Sequence, residues 1–239
     1  MRPRDRNVVI FGESGSGKSS VVNAITQSQR AQTSSGATGC TFRCERHEVD
    51  LSGKKFVLFD TVGLNEGNEG TVPGAEAEKS LKNLMRKLMS PGSDGIGLLV
   101  YCVRGARGSR ALVKNYNLVH SATHQKNIPI VVVVTGLEDY EPTMESWWEK
   151  NGQRLHNNDM HVEDHACVTT LPEDSHLSHD LAQRIRDSCT TLRNLILNNY
   201  SEWTPVESWL QLFLAEVRKR ISGRLDIGRS SLHTPVSCA

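Results

Sequence analysis

The run Gly12-Glu-Ser-Gly-Ser-Gly17-Lys18-Ser19 constrains this chain more than any other feature of its sequence. It has the pattern G-x-x-x-x-G-K-[ST], follows the apolar stretch 7–11 and opens a helical stretch over 18–29. Strand, glycine-rich loop and helix in that order leave successive backbone N–H groups pointing inward, and the helix N-terminus adds positive potential. An anionic polyphosphate is therefore captured by the backbone of Gly12, Gly15, Ser16, Gly17, Lys18, Ser19 and Ser20. Lys18 would reach the outer phosphates, and the Ser19 hydroxyl would hold Mg²⁺.

Strand and helix signals alternate along most of the chain. Strands are expected over 7–11, 41–51, 55–60, 96–103, 128–135 and 165–169, and helices near 18–29, 75–89, 109–126, 142–156 and 176–199. The alternation predicts an α/β fold with a mostly parallel six-stranded sheet and helices on both faces, and with the glycine-rich loop this reads as a three-layer P-loop NTPase domain. The stretch 41–51 is polar, carrying Arg43, Glu45, Arg46, His47 and Glu48, and only a few residues separate it from the next strand. That link is too short for a crossover, so the two pair as an antiparallel hairpin with 41–51 at the sheet edge. One domain is expected over 1–200. Val206, Leu210, Phe213, Leu214, Val217 and Ile221 then recur at helical spacing, predicting an amphipathic helix and a polar tail within 201–239.

Asp60-Thr-Val-Gly63 closes the strand 55–60 shortly after the phosphate loop. In a D-x-x-G element the Asp completes the Mg²⁺ shell, and the Gly amide touches a γ-phosphate and loses that contact on hydrolysis. A cassette ATPase would instead show an LSGGQ signature, which is absent. The small, polar segment 31–41 has the place and composition of a first switch. Thr41, where the next strand begins, is preferred as its Mg²⁺-binding Thr, with Thr38 second. Lys18, Thr41 and Gly63 are thus the candidate catalytic groups, Ser19, Thr41 and Asp60 the candidate metal ligands. The glycines and polar residues of 63–70 suit a mobile second switch.

These motifs, with the tracts GCTFRCERHEV, KKFVLFDTVGLNEG, GLLVYCVRG, VVVVTGLE and HACVTTL, resemble the translation-factor-like class of P-loop GTPases. Within it they are most similar to the septin-related group, which holds the immune-associated nucleotide-binding GTPases and the chloroplast import receptors, and look like its fungal G-domain proteins. The resemblance covers about residues 6–200. It implies GTP and GDP as ligands, Mg²⁺ as cofactor, shape switching, an effector protein, and a homodimer across the nucleotide face.

Two departures from the family pattern stand out. Guanine recognition by [NT]KxD becomes Thr135-Gly136-Leu137-Glu138, so Glu138 takes the carboxylate position that can accept guanine N1–H and the 2-amino group, with Asp139 as an alternative reader. Gly136 removes the Lys stem that would cover the base. Cys167-Val-Thr-Thr170 resembles the second base-contact motif. Leu64 stands where Ras-like enzymes orient water with Gln, and an apolar side chain cannot do that, which implies slow hydrolysis. Arg104, Arg107 and Arg110 are candidates for a cation supplied to the reaction. The competing readings are a nucleotide-dependent interaction module with negligible turnover and an ATP-hydrolysing protein.

The 239 residues carry 28 Lys+Arg and 27 Asp+Glu, and this balance gives no electrostatic reason to expect nucleic acid. The longest apolar run, Ile128 to Val134, is far below the ~20 residues of a membrane span. An intracellular, cytoplasmic protein with reduced cysteines is expected, and Arg218-Lys-Arg220 beside the terminal apolar stripe keeps peripheral membrane contact open. His156, His161 and His165 have no zinc spacing, and Trp147-Trp148 is expected to cap the core.

Overall fold

The computed structural model describes residues 4–26, 44–64, 74–106, 109–123, 127–174 and 176–202. All belong to the first of two units, Met1–Trp203; the second, Thr204–Ala239, including the expected terminal helix, lies outside the described residues. Thr38, Thr41 and most of the two switch segments lie outside them as well.

The elements follow the order β1 (Arg6–Gly12), α1 (Lys18–Thr26), β2 (Cys44–Leu51), β3 (Lys54–Thr61), α2 (Gly74–Leu88), β4 (Leu98–Arg104), α3 (Ser109–Thr123), β5 (Ile130–Thr135), α4 (Ser146–His156), β6 (Asp164–Cys167) and α5 (His179–Asn199). They build the expected six-stranded sheet, ordered β2-β3-β1-β4-β5-β6. All neighbours are parallel except the β2–β3 hairpin, whose register runs from Cys44 opposite Thr61 to Leu51 opposite Lys54.

Successive side chains of a strand point to opposite faces, and the two faces are covered by different helices. Val9, Phe11, Leu99, Tyr101, Val132 and Val134 pack with Leu81 and Met85 of α2, Tyr116 of α3 and Trp147 of α4. Val8, Ile10, Val100, Cys102, Val131 and Val133 pack with Val21 and Ile25 of α1 and Leu192 and Ile196 of α5. Burial on both faces explains why the central strands read as unbroken apolar runs. On the edge strand β2 only alternate residues, His47, Val49 and Leu51, are buried, which accounts for its polar sequence.

Several boundaries differ from expectation for local reasons. β4 starts at Leu98, not Ile96: the Gly97 N–H reaches Asn7 O of β1 (3.0 Å), but its carbonyl accepts from the Ser201 N–H after α5 (3.0 Å). β6 runs from Asp164 to Cys167, ending before Thr169, whose N–H donates to the Ser188 hydroxyl (3.1 Å). Thr143 Oγ1 accepts from the Ser146 N–H (3.3 Å), and α4 begins there rather than at residue 142. Ser178 caps α5, its hydroxyl accepting from the Leu181 N–H, and the helix starts at His179. No helix among the described residues is long and apolar enough to cross a membrane.

Candidate functional site

The strand order reverses around β1, and the carboxyl ends of the parallel strands then open on a crevice suited to a ligand. The candidate residues gather along that edge. Gly12 ends β1, Gly15 and Ser16 form the turn, and Lys18, Ser19 and Ser20 are the first residues of α1. Lys18 is buried, and its ammonium donates to Glu13 O (2.8 Å), bracing the loop across its mouth. Gly17 has φ +84°, and a Cβ there would stand 3.1 Å from Thr135 Oγ1, so the loop lies directly against the end of β5.

Asp60, near the end of β3, is 8% exposed. The Ser19 hydroxyl donates to its Oδ2 (2.5 Å), and Oδ1 is buried with no hydrogen-bond partner among the described residues. Burial pushes the Asp60 carboxyl up from its ordinary range, against the lowering effects of the Ser19 bond and the Lys18 charge. A buried carboxylate with one oxygen unsatisfied, joined to a hydroxyl at a helix N-terminus, is a donor set suited to a hard, oxygen-seeking divalent cation. The residues present therefore fit Mg²⁺.

The D-x-x-G segment is stitched to the phosphate loop. The Leu64 N–H donates to Gly12 O (2.9 Å), and the Ser14 N–H donates to Leu64 O (3.2 Å). Between these bonds Gly63 approaches so closely that a Cβ would lie 2.5 Å from Ser14 Cα. The Leu64 side chain is fully buried in the core facing α2 to α4. It cannot orient a water, in keeping with its apolar chemistry.

The two tracts expected to contact the base meet. Thr135 Oγ1 donates to Ser16 O (2.8 Å), tying β5 to the phosphate loop. Thr169 Oγ1 donates to Glu138 Oε2 (3.2 Å), so the loop after β5 and the loop after β6 share a hydrogen bond. Glu138 is half-buried between them, whereas Asp139 is exposed. Sequence reasoning missed the braces on α5: Arg184 Nη1 donates to Glu138 O (3.0 Å) and Tyr140 O (3.1 Å), and Ser188 holds Thr169. Neither residue belongs to a motif, and only the packing of α5 brings them there.

Of the three arginines proposed as a cation for the reaction, Arg107 and the side chain of Arg110 lie outside the described residues. Arg104 ends β4 opposite Thr135, beside the base loop. Among the described residues no group of three or more His, Cys, Asp or Glu could hold a metal, and His165 instead stacks on Trp148 (4.0 Å between centroids).

Residues 7–136, more than half of the chain, match the family model described as 50S ribosome-binding GTPase. The chain belongs to that GTPase family. Solved structures of similar fold include Era from Aquifex aeolicus bound to GDP and AlF4⁻, with a TM-score of 0.57 at 15% identity over 85% of this chain and 60% of that one. Era in complex with MgGDPNP and a segment of 16S ribosomal RNA gives 0.56 at 14% identity, covering 86% and 60%. A dimerization-deficient mutant of Toc33 from Arabidopsis thaliana gives 0.51 at 16% identity, covering 85% and 88%. The chain spans 56% of the SsGBP variant and 60% of the Era chains it matches. No curated protein matches it in sequence.

Proposed function

We propose that this chain binds GTP with Mg²⁺, hydrolyses it slowly to GDP and phosphate, and changes shape over 31–41 and 60–73 between the two states. The observation that carries this reading is the Ser19–Asp60 pair, with Asp60 Oδ1 orphaned and buried beside Lys18 at the N-terminus of α1. The amides of Gly15 to Ser20 and the Lys18 ammonium bind the phosphates, while Ser19, Asp60 and Thr41 hold the metal. Mg²⁺ when bound offsets the charge that develops on the outer phosphates. Thr41 is three residues before Cys44, a reach of at most roughly 10 Å from the start of β2, which lies at the Asp60 end of the hairpin. The Gly63 N–H supplies the γ-phosphate contact, and its position against Ser14 supports that role.

Guanine is favoured over adenine because Glu138, half-buried against Thr169 where Asp139 is exposed, offers a carboxylate that can accept guanine N1–H and the 2-amino group. A septin-related grouping is part of the same reading and rests on the sequence tracts alone, Toc33 sharing the fold. The buried Leu64 favours a second reading, in which bound GTP orders a surface for an effector or a twin subunit and turnover is incidental. Single-turnover assays separate the two. Slow hydrolysis predicts Mg²⁺-dependent phosphate release on the order of 10⁻⁴ to 10⁻² s⁻¹. Tight binding of GTP without release would support the interaction module instead.

A further inference from the structure

Gly136 occupies the position at which the family pattern has its base-covering Lys, and it does so with φ +74°. A side chain at 136 would begin 3.4 Å from Arg104 Nε, 3.5 Å from Cγ and 3.8 Å from Cζ. The volume a side chain of residue 136 would fill is therefore taken by the arginine at the end of β4. The placement is fixed from both sides. Arg104 lies opposite Thr135 in the β4–β5 ladder, and the Gly105 N–H donates to Thr135 O (2.9 Å). Trp147 Nε1 donates to Gly105 O (2.9 Å), holding the chain just beyond the arginine.

The Arg104 side chain is exposed and makes no hydrogen bond or ion pair among the described residues. A guanidinium with no carboxylate to satisfy it, lying over a glycine, presents a planar and weakly hydrated cation to whatever enters the adjacent cleft. Along the chain Gly136 stands between Thr135, which reaches back to the phosphate loop, and Glu138, which accepts from Thr169. The occupant of such a space between phosphate cradle and carboxylate is the base of the nucleotide, and a flat cation is attracted to its π face.

We propose that Arg104 is a purine-binding residue that stacks on the nucleotide base across Gly136, in place of the side chain position 136 lacks. The proposal rests on the nucleotide-binding reading above, and it removes Arg104 from the candidates for a cation acting on the phosphates.

The test measures the affinity of the full chain with Mg²⁺ for GDP and for inorganic triphosphate, in wild type, Arg104→Ala and Arg104→Lys. Base stacking predicts that Arg104→Ala weakens GDP about ten-fold and leaves triphosphate unchanged, with Arg104→Lys recovering part of the loss. Unchanged GDP affinity in Arg104→Ala, or an equal loss for GDP and triphosphate, would overturn the proposal while leaving the nucleotide-binding reading standing. Failure of the wild type to bind GDP would instead remove the reading on which it rests.

Discussion

Asp60 is a carboxylate held in the wrong surroundings for its charge unless a cation joins it. Its folded-state pKa lies above the ordinary 3.8 because burial disfavours ionisation. The sign follows: the group favours the fold most when protonated, below its ordinary value, and that contribution is lost as pH rises through the raised value. Asp60→Asn, which keeps an acceptor for Ser19 and removes the charge, should raise the melting temperature of the metal-free protein at neutral pH. The same variant should lose the stabilisation that Mg²⁺ and GDP together give the wild type; thermal denaturation with and without both ligands checks this. Cys102 makes a second residue-scale prediction. Burial pushes its thiol up to about 12, and only the thiolate is nucleophilic, so alkylation of the native protein at pH 8 should leave Cys102 unmodified on peptide mapping. Lys18, Ser19 and Asp60 were legible in the sequence because their chemistry depends on spacing along one strand-to-helix turn and one strand end. The preference for Glu138 over Asp139 was also read from its motif position, whereas the placement of Arg104 over Gly136 and the contacts of Arg184 and Ser188 were not. Those depend on which way a side chain faces after β4, β5 and α5 have packed.

At the scale of elements, the segment after β3 does more than end a strand. Residues 62–64 continue onto the phosphate loop through a single bridge, Glu13 with Leu64, and Leu64 anchors that bridge in the core. Leu64→Gln should therefore not create a water-orienting group. It buries an amide among apolar side chains and should cost about 2–3 kcal/mol of stability, read by denaturant unfolding, without accelerating single-turnover hydrolysis. The end of α5 is anchored comparably. The Tyr200 ring meets Phe56 edge-on (5.3 Å), and the Ser201 N–H donates to Gly97 O (3.0 Å). Tyr200→Ala should destabilise by about 2–4 kcal/mol in the same measurement. The β2–β3 hairpin could be read in advance because its short link forbids a crossover. The start of β4 could not, since the contacts that hold Gly97 come from Asn7 and from the far end of α5.

At the scale of the molecule, the candidate residues among the described ones, from the phosphate loop to Asp60, Arg104, Thr135, Glu138 and Thr169, gather where β1, β3, β4, β5 and β6 end, which is what a parallel sheet reversing its order at β1 provides. The alternation of strand and helix made this architecture readable, because continuous apolar runs occur only where both sheet faces are covered. Among the described residues, Tyr200, Ser201 and Glu202 hold the end of α5 to the sheet, through Phe56, Gly97 and Arg6. The central claim is that the edge binds a guanine nucleotide through Lys18 and a metal. Equilibrium affinities for GTP and ATP with Mg²⁺, in wild type and Lys18→Ala, test it most directly. The account predicts GTP bound at least about ten-fold tighter than ATP, and a loss of about 100-fold for GTP in Lys18→Ala. Equal affinity for both nucleotides, or a Lys18→Ala protein that binds GTP as well as the wild type, would contradict it.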